Sequence, residues 1–133
     1  MQGGVAWLTN EASGVSADFM VSKAGVIVKL NPDMKSFYTW HAGKSKFGGR
    51  SDVNEISIGI EHEHFDGDEW PGAQVEASGK LCAWLVEEFG LDLSDGCITS
   101  HRAIALPRGR KSDPREFPWV LFSGIVRRWL DGI

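Results

Sequence analysis

The stretch SHRAIALPRGRKSDP, residues 100–114, gathers one imidazole, one ammonium and one carboxylate around a Pro/Gly turn. Imidazole nitrogen and carboxylate oxygen are both good zinc ligands, and catalytic zinc takes three protein ligands and keeps a position open. A His at a strand end and an Asp twelve positions later can converge if the chain between them turns back, as Pro107 and Gly109 suggest. Lys111 precedes Asp113 by two residues, so in an extended segment the two side chains share a face. Its ammonium could there stabilise the oxyanion of an attacked carbonyl. Glu61 could move protons for an attacking water. A capped, solvated loop is the alternative, and the spacing alone leaves both readings open.

Such residues need elements to position them. EISIGIEHEH, residues 55–64, alternates strictly and predicts a central strand over 56–63. Ile56, Ile58, Ile60, His62 and His64 face one way, and Ser57, Gly59, Glu61 and Glu63 the other. That parity sets His62 and His64 apart from Glu61, as core or rim histidines. SADFMV and VIVKL, separated by SKAG, predict a hairpin, and CIT at 97–99 a short strand leading to His101. A helix is expected over 73–89, with Val75, Cys82, Leu85 and Phe89 on its stripe and Gly90 as its stop. Pro118 opens a last helix in which Phe122, Ile125, Val126, Trp129 and Leu130 follow the helical period. GGVAWLTN, residues 3–10, has the character of a helix tail. The long loop 31–54 carries Tyr38, Trp40 and His41, and aromatics favour a functional loop over a disordered one. The fold class is therefore α/β, a mixed sheet with flanking helices.

Composition sets outer limits. At 133 residues, 42% hydrophobic and 24% charged, residues 1–133 make one domain with a single core. A net charge of −4 argues against a nucleic-acid partner, and the arginines at 102–110 are a local basic spot on an acidic chain. No apolar run approaches a membrane span, and no signal peptide opens the chain. Cys82 and Cys97 are read as free thiols packed as small hydrophobes, although two cysteines leave a disulfide open.

The motifs in order resemble a known family. SIGIE at 57–61, then Trp70, Pro71 and Gln74, a helix, SHRAI, RKSDP and the Phe-x-Trp at 117–119 are similar to the zinc-dependent N-acetylmuramoyl-L-alanine amidases of type 2. This is the superfamily of T7 lysozyme and the peptidoglycan-recognition proteins. The hairpin and WHAG at 40–43 fit the same pattern, and the resemblance runs from about Ala6 to Trp129. The wording RAIALPRGRKSDPR is nearest to lysins of phages of mycobacteria and their relatives. The resemblance implies hydrolysis of the amide between N-acetylmuramic acid and L-alanine of the stem peptide, with bacterial peptidoglycan as partner. It makes His101 and Asp113 zinc ligands, Glu61 the general base and Lys111 the transition-state stabiliser, and it sets His41 and Trp40 at the substrate cleft. In the Tyr-bearing branch a Tyr precedes the position of Asp18; Ala17 stands there, so Glu61 takes the proton-carrying role.

Two departures qualify the match. The hairpin has Ser-Ala-Asp where the family commonly has Ser-Ala-His, which is treated as minor. The family also takes its first zinc ligand from a His on a strand before the N-terminal helix, and no His precedes His41. The expectation is thus an amidase fold with its first strand absent, weak zinc binding, slow hydrolysis, and self-association through an unpaired sheet edge. A zinc-free peptidoglycan-binding module is the alternative function. Without a signal peptide, the expected location is the host cytoplasm until release to the wall.

Overall fold

The computed structural model describes residues 16–132. The helix tail expected at 3–10 lies outside them. Two strands, β1 (Phe19–Val21) and β2 (Ile27–Lys29), form the expected antiparallel hairpin. A two-residue ribbon follows inside the long loop, β3 (Lys46–Phe47) against β4 (Arg50–Ser51), and then a 3-10 turn over Val53–Ile56. The strand β5 (Ile60–His62) lies parallel to β1, with Met20 opposite Glu61. Three helices complete the order: α1 (Gly72–Glu88), the single turn α2 (His101–Ile104) and α3 (Trp119–Leu130).

The strand expected over 56–63 is shorter than its alternation suggested and, among the described residues, lies at the sheet edge rather than the centre. Among the described residues the sheet order is β2-β1-β5, with β1 in the middle. The cause is local. Ile56 closes the 3-10 turn, the Ser57 hydroxyl donates back to the Val53 carbonyl at 2.6 Å, and ladder pairing starts only at Ile60. The parity of the segment still holds. Ile60 packs on the core and His62 meets Trp70 and Phe117 edge-on or tilted, so Glu61 is left to the opposite face.

The segment at 97–99 is irregular rather than a strand, and His101 opens a helical turn instead of ending a strand. Ser100 explains the difference. Its hydroxyl accepts from the Ala103 amide at 3.1 Å, an N-cap that starts a helix where the apolar residues suggested β-structure.

The core lies where α1 crosses α3. Val75, Cys82 and Ala83 meet Phe117, Phe122, Ile125 and Val126, and a second cluster joins Leu81 and Leu85 to Phe19 and Val21. The helices approach so closely that a Cβ on Gly79 would fall 2.5 Å from the Ile125 Cγ2. Gln74, fully buried, donates its Nε2 to the carbonyls of Val21 and Glu63 and so ties the start of α1 to the ends of β1 and β5. α1 ends at Gly90 as expected: its φ is +62°, and Gly90 and Leu91 donate back to Glu87 and Val86 in a Schellman closure. Both cysteines are free; Cys82 is buried, and burial pushes its thiol up to about 12.

Candidate active site

Two loops meet to build the site. Residues 42–46 lie against residues 105–110 through an isolated bridge between Ser45 and Ala105 and the Leu106 amide donating to the Lys44 carbonyl at 2.8 Å. Arg110 fastens the contact. Its Nε donates to Leu106, and one terminal nitrogen donates to the carbonyls of Lys44 at 2.8 Å and Ala42 at 3.2 Å. The Asp113 carbonyl accepts from the Arg102 amide, so the chain after the turn returns to the start of α2.

This return brings His101 and Asp113 together. The His101 Nδ1 lies 3.1 Å from the Asp113 Oδ2, and its Nε2–H donates to the Ala42 carbonyl at 2.9 Å. A carbonyl only accepts, so Nε2 must carry a proton and Nδ1 is the nitrogen left for Asp113. The hydrogen bond to Asp113 raises the His101 pKa above its ordinary value, against the opposing effect of burial. Burial works against the Asp113 charge too, but the hydrogen bond and charge of His101, with Lys111 beyond, hold that carboxyl below its usual range. Glu61 has the opposite fate. Burial first, and the Asp113 charge second, push its pKa up, while His101 and Lys111 pull it down. The structure therefore brings Glu61, His101, Lys111 and Asp113 within electrostatic reach of one another.

The donor chemistry fits a divalent cation in part. Nδ1 and Oδ2 face each other, and the other ring N–H is oriented by a carbonyl, the outer-shell arrangement that metal-ligating histidines use. Among the described residues no group of three or more His, Cys, Asp or Glu gathers as a metal site, so these two donors stand as an incomplete set.

His41 and Trp40 part company. The His41 side chain is only 9% exposed; Nδ1 lies 2.8 Å from the Thr39 hydroxyl and Nε2 lies 2.7 Å from the Ser57 hydroxyl. Burial pushes its pKa down, with the nearby Asp18 resisting. Trp40, its neighbour, is 56% exposed. His62 and His64 serve the scaffold: His62 bonds the Ser78 hydroxyl at 2.7 Å, and His64 stacks on Trp70 at 3.8 Å.

The sequence reading missed Asp18. It is 2% exposed, accepts from Asn31 at 2.7 Å, from the Gly59 amide at 2.8 Å and from Thr39 at 3.2 Å, and lies 3.8 Å from His41. One carboxylate thus pins the loop that carries Ala42 and the strand that carries Glu61. The available signal was the Asp in place of the commoner His, which was discounted as minor. The Ala42 carbonyl had no signal at all, since every residue has one.

The pattern of the N-acetylmuramoyl-L-alanine amidase family (Amidase_2) matches residues 1–116. The chain belongs to that family. Similar proteins include the 1,6-anhydro-N-acetylmuramyl-L-alanine amidases AmpD of Enterobacter cloacae and of Escherichia coli (strain K12), both 34% identical. Those matches cover 84% and 86% of this chain but 57% and 60% of the relatives, so the chain spans a little over half of their length. Among solved structures, AmiD from E. coli, in complex with the substrate anhydro-N-acetylmuramic acid-L-Ala-D-gamma-Glu-L-Lys, superposes with a TM-score of 0.78 at 26% identity. That alignment covers 93% of this chain and 52% of AmiD. AmpDh3 from Pseudomonas aeruginosa, in complex with anhydromuramic pentapeptide, gives 0.78 at 25% identity over 94% of this chain and 55% of that one. The α/β architecture is accordingly that of the type-2 amidases.

Proposed function

We propose that this amidase-family chain hydrolyses the amide between N-acetylmuramic acid and L-alanine of the peptidoglycan stem peptide. The observation that supports the reading is the His101–Asp113 contact at 3.1 Å, with Glu61 and Lys111 within electrostatic reach of it. Zinc is the implied cofactor, which His101 and Asp113 would hold; when bound it would supply Lewis-acid polarisation and a lowered pKa for water. The chain's own groups supply the rest. Glu61, with its raised pKa, takes a proton from the attacking water and delivers it to the departing amine. The Lys111 ammonium stabilises charge on the attacked carbonyl oxygen. Trp40 offers an exposed ring for the sugar or peptide, and His41, with both nitrogens engaged, supports the cleft from beneath.

A second reading, a peptidoglycan-binding module without zinc, is favoured by one observation, the incomplete donor set among the described residues. Elemental analysis for zinc, together with release of stem peptide from anhydro-muropeptide and from intact cell wall, separates the two. Zinc uptake with release supports the amidase, and wall binding with neither supports the module. Activity on intact wall rather than on the soluble fragment alone would support the lysin-like role.

A further inference from the structure

The two loops that build the site are also an island of positive charge. Residues 44–51 and 102–112 hold seven of the chain's fourteen Lys and Arg residues (Lys44, Lys46, Arg50, Arg102, Arg108, Arg110 and Lys111) and none of its eighteen Asp and Glu. The structure makes these segments one surface. Ser45 bridges Ala105, Leu106 bonds Lys44, and the β3–β4 ribbon carries Lys46 and Arg50 outward from that seam. All seven cations are exposed.

Of the seven Lys and Arg residues elsewhere in the chain, four form ion pairs. Lys23 pairs with Asp68, Lys35 with Glu88, Arg115 with Asp66 and Arg128 with Glu76. On the island no cation forms an ion pair with a carboxylate of the described residues; Arg110 spends its donors on carbonyls instead. Like charges crowded on one face repel, and a chain with net charge −4 has ample carboxylate to relieve them. Lys111 acts on Glu61 and Asp113; leaving the other six without a carboxylate ion pair beside the site costs stability that an anionic ligand would restore.

We propose that this face binds a polyanionic polymer of the bacterial wall, bearing carboxylate or phosphate groups, and so holds the site against its substrate. Arg50, Arg102 and Arg108 offer planar forks for either group, and Lys44 and Lys46 add point charges. The wall as the polymer's setting rests on the amidase reading, but binding of the polyanion does not.

The test measures binding to poly-γ-glutamate, a carboxylate chain, and to poly(glycerol phosphate), a phosphate chain, with no catalytic readout. Binding is expected to at least one, weakening about tenfold or more from about 20 to about 200 mM salt. Which polymer binds tighter identifies the group recognised. Lys46→Glu with Arg50→Glu, or Arg108→Glu alone on the other loop, should lower affinity about tenfold or more. Lys29→Glu on β2, an equal charge change away from the island, should lower it less than threefold or so. Equal losses from Lys29→Glu and from the island variants would overturn the proposal, as would no binding at low salt. Tighter binding to a DNA oligomer of equal charge would also overturn it. If polyanion binding holds while no stem peptide is ever released, the amidase reading alone falls.

Discussion

Gly59 runs so close beneath the His41 ring that a Cβ on it would fall 2.3 Å from the His41 Cγ. This contact lies between the two parts of the site. The Gly59 amide is held by Asp18, two residues before Glu61, and His41 immediately precedes the Ala42 whose carbonyl orients His101. Gly59→Ala must move the ring or the strand. A cost of about 1–3 kcal/mol is expected, the usual range for overpacking, read as a lower urea midpoint with an unchanged m-value. Stability within 0.5 kcal/mol or so of the parent would mean the loop yields freely.

Glu61→Gln preserves shape and removes the proton carrier. Hydrolysis of a muropeptide should fall about 10²–10⁴-fold while bound zinc stays the same. Loss of zinc with the substitution would make Glu61 a ligand instead.

The α/β class was legible in the sequence, and so was the face on which Glu61 lies, but the details of the sheet were not. Glu61 was legible because side-chain parity is a strict consequence of extended backbone, and it survived even though β5 shrank to Ile60–His62. The edge placement of that strand in the described sheet was not legible, since order in a sheet depends on long-range pairing with β1. The turn at His101 was missed for the opposite reason: a purely local signal, Ser100 as a cap, was outweighed by the β-branched run before it. Asp18 and the Ala42 carbonyl act only through tertiary contacts, and type and spacing cannot reveal those.

Arg110→Ala should loosen the seam that fixes the Ala42 carbonyl. Removing its donors leaves the Leu106 carbonyl to water, takes one of two donors from the Lys44 carbonyl and lets the carbonyl that orients His101 drift. Zinc affinity, measured by competition with a chromophoric chelator, is expected to fall about tenfold or more, the scale of outer-shell losses. Arg110→Lys should recover only part of this, because one ammonium cannot copy a planar fork that spans three carbonyls. A lower Tm with unchanged zinc affinity would assign Arg110 to the scaffold alone.

The last prediction concerns His62, whose ring is walled in by Trp70 and Phe117 and hydrogen-bonded to Ser78. Burial, with His64 adding to it, pushes its pKa from 6.5 down to about 4. The folded state thus keeps the ring neutral where the unfolded chain has already taken up a proton. Above pH 6.5 neither state is protonated at this ring and its pKa costs nothing. Below it the unfolded state binds more protons, so stability falls as pH falls, by about 1.4 kcal/mol per unit until the folded ring titrates near pH 4. His101, with its raised pKa, works in the other direction, and other groups titrate in the same window. The informative quantity is therefore a difference. Urea unfolding of the parent and of His62→Gln at pH 7, 5.5 and 4.5 should show the variant less stable at pH 7, through lost packing, with the gap closing as the pH drops. A gap that stays constant across the three conditions would mean that His62 is protonated in the folded protein and that its aromatic enclosure admits the charge.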